Sequence, residues 1–144
     1  MISSEELINK AREAMNLSYA PYSHFTVGAA LLCADGSIYL GGNIENASYG
    51  ASNCAERTAF FKAVSDGKRK FTAIAICGGS EKNDTDLCPP CGICRQVMRE
   101  FCGSDFRIIL ASDHGKQIKE YTLSQLLPES FGPDDLISGS KVTR

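Results

Sequence analysis

The residues best suited to chemistry stand in one short run, Cys88-Pro89-Pro90-Cys91-Gly92-Ile93-Cys94. Cys91 and Cys94 form a C-x-x-C pair, a spacing at which two thiolates reach one ion. Residues three apart share a helix face, and Pro90 suits a helix start, so a pair in the first turn points to one spot. A helix N-terminus also favours thiolate over thiol. The third candidate is Cys54, which opens another helical segment and precedes Ala55, Glu56 and Arg57. Three protein ligands leave the fourth position of a tetrahedral zinc for water, the mark of a catalytic site, and bound zinc lowers that water's pKa to roughly 7. Positions two apart on a regular helix point nearly opposite ways. Glu56 can therefore act there as general acid and base only if Cys54 sits at the helix entrance. A structural zinc knot is the competing reading. It wants a fourth ligand, and Cys88 is the obvious one.

These residues must be held by a fold. Leu7, Ile8, Ala11, Ala14 and Met15 recur at helical spacing over Glu5 to Asn16, with Ser3 or Ser4 as cap. Phe25 to Cys33 and Ser37 to Gly42 read as strands joined by the hairpin signal Ala34-Asp35-Gly36. Asn43 to Asn53 is a long polar loop. Cys54 to Val64 is a helix, with Ala55, Thr58, Ala59 and Ala63 on one side. Phe71 to Cys77 is a buried strand that Gly78-Gly79 should stop, and Ser80 to Pro90 is loop. Cys91 to Phe101 is a helix with Ile93, Val97 and Phe101 on one face. Arg107 to Ala111 and Ile118 to Thr122 complete the strands. A short helix around Leu123, Leu126 and Leu127 ends at Pro128. Helices alternating with buried strands predict an α/β fold, a three-layer α/β/α sandwich on a mixed five-stranded sheet. The hairpin makes its first pair antiparallel, and strands joined through helices should be parallel or near neighbours. Residues 1–131 form one domain, and 132–144 a tail whose end, from Ser138, should fray.

The chain has 144 residues, 43% hydrophobic and 22% charged, which excludes disordered, collagenous and membrane classes. Its formal net charge of −2 gives no basic groove for a polynucleotide and no patch for an anionic membrane, so a small neutral or polar substrate fits better. The start lacks a secretory pattern, which predicts a cytoplasmic protein. In that compartment its seven cysteines are ligands, catalytic groups or core filler rather than disulfides. Cys33, Cys77 and Cys102 lie in or beside apolar elements and read as core. His24 and His114 read as ordinary histidines. Three thiolates on one zinc carry a net negative charge, which Arg57 could offset by bonding a ligand sulfur, with Arg95 or Gln96 as further supports.

The order C-x-E followed by P-C-x-x-C matches the zinc-deaminase signature. Four further stretches fall in order around it: Tyr19-Ala20-Pro21-Tyr22-Ser23-His24-Phe25-Thr26-Val27-Gly28-Ala29-Ala30, Gly42 to Gly50, Arg95-Gln96 after Cys94, and Leu126-Leu127-Pro128 with Phe131. Over residues 5–131 the chain resembles the small, homotetrameric cytidine deaminases of pyrimidine nucleoside salvage. That resemblance implies one zinc per chain on Cys54, Cys91 and Cys94, with Glu56 as proton shuttle. It implies that Asn43 and Glu45 bind ribose hydroxyls, that Phe25 packs near the pyrimidine, and that the Ala55 backbone contacts the base. Tyr49 would sit at a subunit boundary near the sugar, and Phe131 would reach a neighbouring subunit's base site. The reaction implied is hydrolysis of cytidine and deoxycytidine to uridine and deoxyuridine with release of ammonia. Alternatives are a deaminase of another cytosine nucleoside such as blasticidin S, a binding module that keeps the fold, or a structural zinc protein. Three departures from the family stand out: Cys88, the charged loop Gly79 to Leu87, and the extended tail beyond Phe131.

Overall fold

The computed structural model describes residues 2–80, 86–112 and 117–137. The expectations for His114, for most of the charged loop and for the end of the tail lie outside them.

Alternation along the strands decides the architecture. In β1 (Thr26–Cys33), Ala29, Leu31 and Cys33 join one buried cluster and Ala30 and Leu32 another. A strand buried on both faces belongs inside a sheet covered on both sides. The sheet has five strands in the order β2-β1-β3-β4-β5, with β2 at Ile38–Gly42, β3 at Phe71–Gly79, β4 at Arg107–Ser112 and β5 at Ile118–Thr122. β1 runs antiparallel to β2 and β3, β3 runs parallel to β4, and β4 runs antiparallel to β5. Helix α1 (Ser4–Ala14) covers one face, setting Leu7, Ile8 and Ala11 against Ala30, Ala73, Ala75 and Ile109. Helices α2 (Ala55–Ser65) and α3 (Gly92–Phe101) cover the other, where Phe60 and Met98 meet Leu31, Ile74, Ile76 and Ile108. The predicted three-layer sandwich with a mixed sheet is the observed one.

Local chemistry sets the ends of these elements. Ser3 Oγ accepts from the Glu6 N–H at 3.1 Å and caps α1. Thr122 and Gln125 form a capping box at the start of α4 (Leu123–Leu126). The pair Gly78-Gly79 does not stop β3 as predicted. The strand continues, pairing Gly78 with Val27 and Gly79 with Thr26, because a cross-strand ladder outweighs glycine's weak strand propensity. The expected face of α3 is also shifted. Cys94 and Met98 are its fully buried residues and Val97 and Phe101 pack at the margin, whereas Ile93 is 61% exposed. The tail segment holds a further short helix, α5 (Pro133–Leu136), with Pro133 buried.

The topology brings two helix N-termini together. β2 and β3 run the same way, and α2 and α3 leave their C-terminal ends, so both helices start at one edge of the sheet. That edge is where ligands bind in open α/β sheets. Gly41 presses α2 onto it, since a Cβ there would lie 2.5 Å from the Ala55 carbonyl oxygen and 2.6 Å from the Ala59 nitrogen.

Candidate active site

Cys54 and Cys91 are both helix caps. Each has extended backbone, φ −76° and ψ 156° for Cys54 and φ −69° and ψ 170° for Cys91, directly before the first helical residue. Each sulfur therefore lies outside its helix, at the positive end of the dipole and beside free N–H groups. The turn at Cys54 is the condition that Glu56 required. Cys94 comes from the first turn of α3 and is 1% exposed. The Cys54 and Cys91 sulfurs lie 3.8 Å apart, and those of Cys91 and Cys94 3.6 Å. Three thiolates at about 2.3 Å from one tetrahedral zinc would have sulfurs about 3.8 Å apart, so the set fits that ion. The three sulfurs lie within 4.8 Å of one another, and they are the metal-ligating cluster among the described residues.

Cys88 is not in that cluster. It lies over Gly78, where a Cβ would meet its Sγ at 3.1 Å, and lines the cleft. Burial, and then the charges of Glu56 and Cys54, push its thiol up to about 12. Among the described residues no fourth thiolate joins the three, as a structural knot would want.

Glu56 is 4% exposed. Burial, reinforced by the charge of Cys54, raises its carboxyl to about 7. Among the sulfurs, the Cys94 thiol and the Arg57 guanidinium donate to Cys54, which lowers the Cys54 pKa and raises that of Cys94. Arg57 Nη2 stands 3.3 Å from Cys54 Sγ, and its Nε is buried without a partner. The guanidinium thus offsets thiolate charge at the metal end. Arg95 and Gln96 do not bond the sulfurs. Arg95 Nε donates to the Pro90 carbonyl at 2.7 Å, fixing the turn into Cys91, and Gln96 Nε2 donates to the Phe131 carbonyl at 2.9 Å.

These groups sit at the inner end of a cleft of about 480 Å³, whose walls include Asn43, Glu45, Tyr49, Ala55, Cys88 and Ile93. At the outer end Glu45 accepts from the N–H groups of Tyr22 (3.0 Å) and Ser23 (3.1 Å) and from the Ser23 hydroxyl, and these bonds hold its carboxyl below the usual range. Asn43 is bound on both sides of its amide, accepting from the Val27 N–H at 2.8 Å and donating to the Phe25 carbonyl at 2.9 Å. Phe25 packs against Gly78 and is not among the residues lining this cleft, and Tyr49 stands at its mouth, 82% exposed. Phe131 is 58% exposed and is not among the residues lining this cleft. Sequence reasoning missed Ser23, which bridges Glu45 to the Phe25 N–H at 3.0 Å, and the wall formed by Ile93. The serine beside Phe25 was the available signal, since such hydroxyls bond backbone two residues on.

A family model described as the cytidine and deoxycytidylate deaminase zinc-binding region matches residues 1–110. The cytidine deaminase of Halalkalibacterium halodurans is 51% identical over 90% of this chain and 95% of its own. That of Sporosarcina psychrophila is 50% identical over 92% and 93%. Among solved structures, the cytidine deaminase of Burkholderia pseudomallei superposes with a TM-score of 0.83 at 42% identity, covering 90% of this chain and all of that one. That of Mycobacterium tuberculosis gives 0.75 at 37%, over 92% and 99%. The match spans both the sulfur cluster and the sheet that carries it, and the chain belongs to the cytidine deaminase family of zinc-dependent hydrolases.

Proposed function

We propose that this protein hydrolyses cytidine and deoxycytidine to uridine and deoxyuridine, releasing ammonia, as a step of pyrimidine salvage in the cytoplasm. The observation that carries the reading is a buried carboxyl, Glu56, beside three sulfurs spaced for one zinc. Cys54, Cys91 and Cys94 would hold that zinc, which when bound supplies Lewis acidity that makes a water a competent nucleophile at neutral pH. Glu56 takes one proton of the attacking water and delivers it to ring N3. It then passes the second proton to the exocyclic amine, so that the C4–N bond breaks as the new C4–O bond becomes a carbonyl. A carboxyl near neutrality suits both giving and receiving protons. Arg57 keeps the sulfurs' charge from building up, and the Ala55 backbone lies where the base enters.

The outer end favours nucleosides over nucleotides. Arg57 is the one cation among the described residues lining the cleft, and it is turned to Cys54. The Glu45 carboxylate repels a phosphate on the sugar, and the described residues of this chain that line the cleft offer it no free cation. Asn43 and Glu45 would exchange one of their present bonds for a sugar hydroxyl, and Phe25 would support the base from behind. Residues 1–131 act as one catalytic domain. The exposure of Tyr49 and Phe131 supports a homotetramer in which each cleft is completed by a neighbour, with Phe131 over that neighbour's base.

The test is the ultraviolet absorbance of the zinc-loaded protein with cytidine, deoxycytidine, deoxycytidylate, cytosine and blasticidin S in parallel, with Glu56→Gln as control. Loss of the cytosine chromophore with the two nucleosides, abolished in the variant, is the expected result. Turnover of blasticidin S or deoxycytidylate alone would overturn the substrate, and no turnover with zinc bound would overturn the reaction.

A further inference from the structure

Phe131 presents a puzzle on the single chain. It is 58% exposed and near the end of the described residues, yet the segment carrying it is tied down by three side chains of one helix. Arg95 Nη1 donates to the Leu126 carbonyl at 2.7 Å. Gln96 Nε2 donates to the carbonyl of Phe131 itself at 2.9 Å. Arg99 Nε donates to Ser130 Oγ at 2.9 Å, and its Nη2 lies 3.8 Å from an Asp134 carboxylate oxygen. The Arg99 guanidinium also crosses the backbone after Phe131, because a Cβ built on Gly132 would overlap its carbon. Bonds therefore fall on both sides of Phe131 and on its own carbonyl. The same helix, α3, begins with the sulfurs of Cys91 and Cys94.

Leu126 and Leu127 pack on the core and Pro133 is buried, which offsets part of the entropy of ordering this segment, about 1–2 kcal/mol per residue, but the Phe131 ring left in water returns none of its own share. The ordering has a physical use if the ring must be ready before it meets something flat and apolar. A ring fixed in advance loses less freedom on binding, so more of the stacking energy reaches the complex. We propose that Arg99, with Gln96, is a positioning residue: α3 clamps the strap from Leu126 to Asp134 so that Phe131 is held ready to stack on the pyrimidine of a neighbouring subunit. The inference rests on the reading of Phe131 given above and adds the device that makes it work. Gly132 is part of that device, as the backbone position over which Arg99 can lie.

The experiment uses steady-state kinetics on the full-length, zinc-loaded protein. Stacking on an aromatic is worth roughly 1–3 kcal/mol per base, so Phe131→Ala should raise KM for cytidine by about 5- to 150-fold. Arg99→Gln should raise KM about three- to tenfold with kcat within about twofold, the pattern of lost binding shared by ground and transition states. Zinc content should stay at one per chain. In the double variant the effects should not add, because Arg99 acts through the ring. The chain has no tryptophan. Phe131→Trp therefore gives a single reporter, whose anisotropy should fall when Arg99→Gln is added. A Phe131→Ala variant with unchanged KM would overturn the Phe131 reading and the clamp together. A raised KM for Phe131→Ala, with Arg99→Gln kinetically and spectroscopically silent or strictly additive, would overturn the clamp alone. Should Arg99→Gln fail to fold, Gln96→Ala takes its place with the same criteria.

Discussion

The two ends of the cleft are built on opposite physical terms. At the inner end, Glu56 and Cys94 are 4% and 1% exposed, and the nearest charges are sulfurs, one carboxyl and one guanidinium. At the outer end, Glu45 is half-buried and already holds three donors, and Tyr49 is open to solvent. Burial makes the inner carboxyl a proton carrier by penalising its charge. Hydrogen bonds make the outer carboxyl a permanent acceptor by favouring its charge. One residue type thus serves two purposes because one carboxyl is buried with little to favour its charge and the other is ringed by donors. The inner end should govern kcat and the outer end KM.

The strongest test of that division is removal of the metal. Cys91→Ser, or chelation of the wild-type protein, should cut kcat roughly 10³-fold or more, since the metal supplies several kcal/mol. Atomic absorption should follow the loss of zinc. Next comes Glu56→Gln, expected to lower kcat about 10²- to 10⁴-fold with zinc still bound and the circular dichroism unchanged. A change confined to KM would erase the distinction between the ends. Arg57→Gln should weaken zinc binding about 10- to 100-fold, read by competition with a chromogenic chelator, because the charge on Cys54 loses its donor.

At the outer end, Glu45→Gln should raise KM about tenfold and leave kcat within about twofold, measured on cytidine. Asn43→Ala should differ from it. It strands the Val27 N–H and the Phe25 carbonyl, so it should also lower the unfolding free energy by about 1–3 kcal/mol in urea titration. The smallest effect belongs to a pair distant from both ends. Arg107 bonds Glu120 at 2.9 Å through two nitrogens and lowers its carboxyl, with both side chains over two-fifths exposed. A carboxylate lowered in the folded state stabilises above its unfolded pKa and loses that contribution as the pH falls through its folded value. Glu120→Gln should cost under about 1 kcal/mol at pH 7, less in high salt, and nothing at low pH. Kinetic constants should not move.

Much of the inner end was legible because its residues are local to two helix starts. Cys54 with Glu56, and Cys91 with Cys94, each lie within four residues, and a helix entrance restricts where such side chains point. The outer end was harder to read. Asn43 and Glu45 could be named from the resemblance, but their bonds run to Val27, Phe25, Tyr22 and Ser23 across a strand pair. Ile93 was misplaced for a related reason. Helical periodicity orders the apolar residues around α3, but the face it buries is set by where the sheet lies, and Cys94 with Met98 took that place.

By itself, then, the sequence determined the strand and helix order up to Leu126, the sulfur ligands as a candidate set and the carboxyl beside them, because each is a matter of short-range spacing and side-chain chemistry. Only the tertiary structure decided that β3 runs on through Gly78 and Gly79, that Cys88 lines the cleft wall over Gly78 instead of joining the cluster, and that α3 grips the strap beneath Phe131. Those outcomes depend on which surfaces meet across tens of residues, and no local spacing encodes the distance between them.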